Sequence, residues 1–200
     1  MTYAIVGSGK IGRALARQFA RQNISVRVAN SRGPQTIAPL REEFGDSIVP
    51  STLDEALTAD LVVMAVPFAA VPEIAGQAGD WRGRILVDAT NAIDLTDFSP
   101  IDLGGKPSSE VIAEALPTAR VVKGFNTLAA AVLEADPAAD GGKRVIFLSG
   151  NSPDARSEVA RLTDTLGFAA IDLGRTDEGG RLAEFGGPLV LQNLINRTRA

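Results

Sequence analysis

The 200-residue chain has no histidine, no cysteine and a single tyrosine, Tyr3, and its aromatic content is only 5%. Without cysteine there is no disulfide framework, and without either residue type no Cys/His zinc site. A Ser-His-Asp triad, a Cys-His dyad and an imidazole general base are excluded on the same ground. Whatever chemistry occurs here runs without imidazole or thiol. An excess of positive charge is also missing: 20 Lys and Arg stand against 24 Asp and Glu, net −4, which is not the footprint of a nucleic-acid-binding domain. No apolar run approaches the roughly 18 residues of a membrane helix. Met1 leads at once into the strand-like Tyr3-Ala4-Ile5-Val6, with no basic leader or long apolar segment. A cytoplasmic protein with neither nucleic-acid nor membrane partners is expected.

What is present is ordinary for a globular chain, 45% hydrophobic and 22% charged, and long enough to bury a real core. Short apolar runs alternate with helical patterns. Strands are expected at Tyr3–Val6, Ile24–Ala29, 48–49, Leu61–Val66, Ile85–Val87, Arg120–Val122, Lys143–Leu148 and Phe168–Ile171. Helices are expected near 10–22, 35–44, 69–78 and 109–116, and one opens at Ser152-Pro153 with Ala155, Val159, Leu162 and Leu166 on one face. Two overlapping capping boxes, Ser51 with Asp54 and Thr52 with Glu55, start another. A last helical stretch is expected over roughly 177–198, interrupted at Gly186-Gly187-Pro188, and residues 91–109 form a long polar loop. Strand-helix-strand repetition implies parallel strands with right-handed crossovers, hence an α/β, doubly wound, mostly parallel sheet. One domain over 1–200 is expected, with a core of about 1–150 and a small C-terminal extension of about 151–200.

The strongest motif is Gly7-Ser8-Gly9-Lys10-Ile11-Gly12, a G-x-G-x-x-G that follows a strand and opens a helix. In this Rossmann-like context Gly7 permits the tight turn, Gly9 lets backbone approach a pyrophosphate, and Gly12 allows close helix-strand packing. The helix N-terminus then presents free N–H groups and its positive dipole end to the phosphates. A P-loop does not fit, because Ile11 follows Lys10 where Ser or Thr is required.

The end of the second strand indicates which dinucleotide. NAD sites place Asp or Glu there for the ribose 2′-hydroxyl. This chain reads Ala29-Asn30-Ser31-Arg32-Gly33, with no acid; a guanidinium and a hydroxyl hold a 2′-phosphate through charge-assisted hydrogen bonds. Arginine also outnumbers lysine 16 to 4, and arginine is the better planar clamp for phosphate. Ala65-Val66-Pro67-Phe68 closes a central strand, at the sheet edge where ligands lie, and offers an apolar wall for a nicotinamide. In Val121-Val122-Lys123-Gly124-Phe125-Asn126-Thr127, Lys123 has the chemistry to meet phosphate or carboxylate and Asn126 to bond a ring amide; each serves equally well as a turn former.

These segments, with Asp88-Ala89-Thr90-Asn91 and Arg181-Leu182-Ala183-Glu184, occur in the same order as in the NADPH:coenzyme F420 oxidoreductases, and the chain resembles that family over nearly its whole length. The resemblance implies that Ser8 to Gly12 hold pyrophosphate and Ser31-Arg32 the 2′-phosphate, with Asn30 and Asn91 also at the cofactor. It implies that Val66, Pro67, Leu128 and Ala130 border the nicotinamide, with a deazaflavin, coenzyme F420 or a flavin, stacked opposite. Family members that use the deazaflavin often carry His where this chain has Asn126. Asn there is similar to bacterial relatives of unknown acceptor and to the NADPH-binding domain of membrane metalloreductases.

The absences agree with hydride transfer between stacked rings, which needs near-attack geometry and no positioned proton donor. An alcohol dehydrogenase needs a Tyr-Lys pair, His or zinc, and Tyr3 in the first strand serves no Tyr-x-x-x-Lys mechanism. No catalytic side chain and no metal site is expected. The reading is an NADP(H)-dependent oxidoreductase with a flavin-like hydride acceptor. Its alternatives are a reductase of another flavin, a quinone, an imine or a ferric chelate, and a non-catalytic NADP(H) sensor. Leu189-Val190-Leu191 with Leu194 and Ile195 is more apolar than one buried face needs, and a homodimer contact with the 91–109 loop is expected there.

Overall fold

The computed structural model describes residues 1–94, 96–138 and 141–197. A six-stranded parallel sheet is built from β1 (Tyr3–Val6), β2 (Val26–Ala29), β3 (Ile48–Pro50), β4 (Leu61–Met64), β5 (Ile85–Asp88) and β6 (Arg120–Lys123), in the order β3-β2-β1-β4-β5-β6. Side-chain alternation divides the core into two layers. Ile5, Leu61, Val63, Ile85, Val87 and Val122 face one side, and Ala4, Val6, Val62, Met64, Leu86 and Val121 the other. Because β1, β4 and β5 lie between two covered faces, they read as almost unbroken apolar runs.

The first layer is covered by α1 (Lys10–Arg21), α2 (Ala38–Phe44), α6 (Ala130–Glu134) and α7 (Pro153–Thr165), the second by α3 (Leu53–Ala56), α4 (Val71–Gly76) and α5 (Ser108–Ala115). Of the two possible boxes at α3, Thr52–Glu55 forms, with the Thr52 hydroxyl accepting from the Glu55 amide and the Glu55 carboxylate from the Thr52 amide. Ser51 instead donates to the Val49 carbonyl. Ser152 caps α7 as expected. The expected strand from Ile24 begins at Val26, the run from Leu61 ends at Met64, and the expected helix near 69–78 is a 3-10 turn, Phe68–Ala70, followed by the short α4. Helix α6 had no periodic signal of its own; it forms by packing on α1, where the buried Gln18 amide donates to the Leu133 and Ala135 carbonyls at 2.6 and 2.9 Å.

A second sheet, ordered β8-β7-β9, holds β7 (Lys143–Leu148), parallel β8 (Ala169–Asp172) and antiparallel β9 (Ile195–Asn196). The helix expected over 177–198 is absent among the described residues and residues 198–200 lie outside them. A 3-10 turn at Gly179–Ala183 is followed by turns and then β9. Glycine explains the difference: Gly186 has φ +85°, and a Cβ on Gly187 would lie 2.7 Å from the Leu182 carbonyl oxygen. Gly186 serves a left-handed backbone and Gly187 a close approach, and neither suits a helix. Leu189 packs against Val145, Phe147 and Ala169, while Leu191 and Leu194 stay exposed.

The carboxyl ends of β5 and β6 are joined by a buried ion pair. The Lys123 ammonium, 1% exposed, donates to Asp88 Oδ2 at 2.9 Å, to the Thr90 carbonyl at 2.7 Å and to Ser108 Oγ at 2.8 Å. Those are all the protons it has, so the lysine holds the framework together and does not face a ligand. Asp88 Oδ1 accepts from the Thr90 amide and hydroxyl at 3.0 and 2.7 Å, so both carboxylate oxygens are committed. Replacing Lys123 by Met strands a buried carboxylate, and Lys123→Met is expected to cost about 3–5 kcal/mol in denaturant unfolding. Adding Asp88→Leu should recover part of that loss. A single-variant loss below about 1 kcal/mol would show that the pair carries no such weight.

Candidate functional site

The strand order reverses between β1 and β4, and in open parallel sheets the ligand crevice lies outside the carboxyl ends at that point. Gly7 follows β1 there with φ +108°, and its amide donates to the Ala29 carbonyl at 2.8 Å. A Cβ on Gly7 would strike the Ala65 carbonyl and lie 3.1 Å from Val66 Cγ1, and one on Gly12 would overlap the Gly7 carbonyl. Gly9 differs: a Cβ there meets nothing within 4 Å, so its bare backbone faces open space. The first internal bond of α1 runs from the Arg13 amide to the Gly9 carbonyl. The amides of Lys10, Ile11 and Gly12 are therefore outside the helical ladder, and no acid sits in the first turn to occupy them. That donor set fits a pyrophosphate.

A cleft of about 750 Å³ opens beside this turn. Of the expected cofactor residues, Lys10, Ile11, Ala65, Val66, Pro67, Asn91 and Ala130 line it together. Its wall also includes Phe68 and Ala69 after β4, Ala89 and Thr90 after β5, and Ile93, Asp94, Phe98 and Ile101 from the long loop. Sequence reading did not single these out. Phe68, Ala89 and Thr90 do belong to the Ala65–Phe68 and Asp88–Asn91 segments that the sequence marks. Ile93 and Ile101 are positioned by a bridge between Ile93 and Pro100 and by an Asp94-to-Ser99 backbone bond, which leave no local pattern.

The rest of the glycine turn and Asn30, Ser31 and Arg32 lie outside this lining, and Leu128 and Asn126 are buried away from it. Leu128 is packed in the core layer with Phe125 and Leu133. Asn126 is buried, and its amide donates to Asn91 Oδ1 at 3.1 Å and to the Ala183 carbonyl at 2.8 Å. Asn91 answers by donating to the Asn126 carbonyl at 3.0 Å. Asn126 thus fixes Asn91 in the cleft wall and ties it to the C-terminal segment.

At the end of β2, Asn30 faces inward while Ser31 and Arg32 are exposed. The Asn30 amide donates to Ser8 Oγ at 2.7 Å and Thr36 Oγ1 at 2.9 Å, and its Oδ1 accepts from the Arg32 amide at 2.8 Å. No side-chain partner engages the Arg32 guanidinium among the described residues. No carboxylate stands at the end of this strand, so the corner fits an added phosphate better than a bare ribose hydroxyl.

Among the described residues the only acid in the cleft wall, Asp94, is held below the usual carboxylate range, first by the Thr96 amide and then by the Thr96 hydroxyl. It is an anion at neutral pH and not a proton donor. No group of three or more His, Cys, Asp or Glu among the described residues is placed to hold a metal, and no helix among them is long and apolar enough to cross a membrane.

Residues 2–92 match the family described as NADP oxidoreductase, coenzyme F420-dependent. The fold superposes on the hypothetical protein SMa0349 of Sinorhizobium meliloti at 49% identity and a TM-score of 0.95, covering 98% of this chain and 96% of that one. A protein of Arthrobacter sp. FB24, provisionally named an F420-dependent NADP-reductase, is 32% identical with a TM-score of 0.73, covering 90% of this chain and 88% of its own. Among curated proteins, rat (Rattus norvegicus) metalloreductase STEAP3 is 28% identical over 171 residues, which are 85% of this chain but 33% of the metalloreductase. The chain spans about a third of that relative's length. With the glycine turn, the acid-free end of β2 and a near-complete alignment to a 32% identical member, the chain belongs to the coenzyme F420-dependent NADP oxidoreductase family, and so to the NADP-dependent oxidoreductases.

Proposed function

We propose that this chain binds NADP(H) across the β1–β4 switch point and passes hydride to or from a planar, flavin-like acceptor in the 750 Å³ cleft. The observation that carries the proposal is the chemistry of that cleft. Its walls are mostly apolar, Val66, Pro67, Phe68, Ile93, Phe98 and Ile101 among them, and its one acid is an anion. A reaction between two rings held in near-attack contact needs walls of this kind and no acid or base. Reduction of a carbonyl would need a proton donor beside the oxygen.

In this reading the amides of Lys10, Ile11 and Gly12 and the bare backbone of Gly9 receive the pyrophosphate, with Ser8 beside them. Ser31 and Arg32 take the 2′-phosphate. Val66 and Pro67 lie against the nicotinamide, Ala130 closes the far side, and Asn91, steadied by Asn126, offers a polar edge for the ring amide. The cofactor supplies the hydride chemistry; the chain binds, orients and excludes water. The STEAP likeness supports a ferric chelate as the second acceptor class, over the part of that protein which this chain matches.

Exposed apolar side chains on the long loop, which walls the cleft, and on the C-terminal segment support a homodimer contact. Phe98 is 66% exposed and Ile101 37%, on the long loop, and Leu191 is 70% and Leu194 44% exposed on the C-terminal segment. Sedimentation at micromolar concentration should give twice the chain mass, and a monomer mass would overturn the assembly.

Two measurements test the chemistry. Arg32→Ala should weaken NADPH binding by about one to two orders of magnitude and leave NADH binding almost unchanged. Equal affinities in the parent protein, or an equal loss for both cofactors, would sink the 2′-phosphate assignment. The rate of hydride transfer to a non-ionising acceptor should be flat between about pH 6 and 8, since no side chain here has an ordinary pKa in that window. Asp94, its pKa lowered, enters its neutral form only well below the window. A steep bell would reveal an acid-base group and overturn the mechanism.

A further inference from the structure

The proposed 2′-phosphate pair is exposed, and two long-lived features are needed to keep it aimed: a fixed backbone under Arg32 and a fixed partner beneath that backbone. Asn30 supplies the partner. Its Oδ1 accepts the Arg32 amide at 2.8 Å, which sets the orientation of the whole carboxamide, because the reversed group would set one donor against another. The Nδ2 protons then go to Ser8 Oγ at 2.7 Å and Thr36 Oγ1 at 2.9 Å. Ser8 Oγ accepts from Asn30, so its own proton is not used in that bond.

Thr36 closes the arrangement. It ends the 3-10 turn Pro34–Thr36, its amide donates to the Gly33 carbonyl at 3.1 Å, and its hydroxyl reaches the same carbonyl at 2.8 Å. Gly33 sits at φ +89°, so the chain reverses sharply between Arg32 and Pro34 and returns the threonine beneath Asn30. The Gln35 amide, on the same turn, donates to the Arg32 carbonyl at 2.8 Å. The Arg32 backbone is thereby held at both ends, from Asn30 on one side and from the 34–36 turn on the other.

We propose that Thr36 is the positioning residue for discrimination between NADPH and NADH: it touches neither cofactor, and through Asn30 it holds the Ser31-Arg32 corner in the geometry that receives the 2′-phosphate. The inference rests on the reading of Arg32 given above. Its consequence is selective. The Asn30–Ser8 arm serves the pyrophosphate common to both cofactors, whereas the Asn30–Arg32 arm serves the phosphate that only NADPH carries.

The test is fluorescence titration of NADPH and NADH against parent, Thr36→Val, Thr36→Ser and Arg32→Ala proteins, together with hydrogen exchange at the Arg32 amide without cofactor. Valine keeps the shape of this half-buried site and removes the hydroxyl. Thr36→Val should weaken NADPH about threefold to tenfold and NADH about twofold or less, and should speed Arg32 amide exchange, while Thr36→Ser restores both. If Arg32→Ala lowers the NADPH preference but Thr36→Val leaves it intact, this inference fails and the phosphate assignment stands. An equal loss for both cofactors in Thr36→Val, or no rescue by serine, identifies a merely structural residue and also overturns it. If Arg32→Ala itself leaves the preference unchanged, the underlying assignment fails. Should the valine protein not fold, Thr36→Ala is read by the same criteria.

Discussion

A buried ammonium cannot be left half-satisfied, and Lys123 converts that requirement into architecture. Its three bonds reach the end of β5, the turn after it and the first residue of α5. Ser108, which accepts from Lys123, donates its amide to the Glu184 carboxylate at 3.0 Å, so the C-terminal segment is pulled onto the same point. Arg181 adds a bond to the Gly105 carbonyl, and Asn126 one to Ala183. Segments far apart in sequence thus converge where the long loop leaves and re-enters the sheet. An ion pair of this kind adds little net stability over an apolar packing of equal volume. Here it fixes the position of three chain segments around one cleft.

The other half of the cleft is set by absence of side chain. Helix α1 can start close against the sheet only because Gly7 has no Cβ to meet the Ala65 carbonyl and Gly12 none to meet the Gly7 carbonyl. That closeness brings the amide-bearing end of α1 alongside the Val66-Pro67 turn, so a phosphate site and an apolar wall become neighbours. Asn30 extends the same platform to the end of β2 through Ser8. On the proposed reading, the pyrophosphate donors, the ribose corner and the apolar wall are consequently one connected surface.

How legible this was in the sequence depended on whether the determinant was local. The glycine turn, the buried strands and the Thr52 and Ser152 caps are local, and they read correctly. The end of β2 declared its lack of an acid in the same way. Lys123 read as a candidate ligand-binding lysine because its partners lie 35 and 15 residues away, and no window of sequence brings Asp88 and Ser108 to it. Asn126 has the same character, with its amide directed to Asn91 and Ala183. The C-terminal stretch misled for a different reason. Its apolar spacing suits a helix, but Gly179 and Gly187 admit neighbouring backbone, Gly180 admits the Ser149 side chain, Gly186 takes a positive φ, and β9 forms only because β7 offers an edge.

Chemistry without imidazole or thiol transfers the whole task of selection to shape. On the proposed reading, β1 to β5 build a cofactor surface that has little means of choosing what accepts the hydride. The choice must come from the opposite wall, made by the loop carrying Ile93, Phe98 and Ile101. That wall is unusual in energetic terms. Phe98 is largely exposed and sits at φ +59°, a conformation that costs a bulky residue of order 1–3 kcal/mol. Its backbone is held there by the Asp94 carbonyl, which accepts the Phe98 amide at 2.9 Å, and the Asp94 and Asp97 side chains bond the Thr96 and Ser99 amides. On the same reading, an aromatic ring kept in the wall of an apolar cleft by such a set of turns selects for flatness rather than charge.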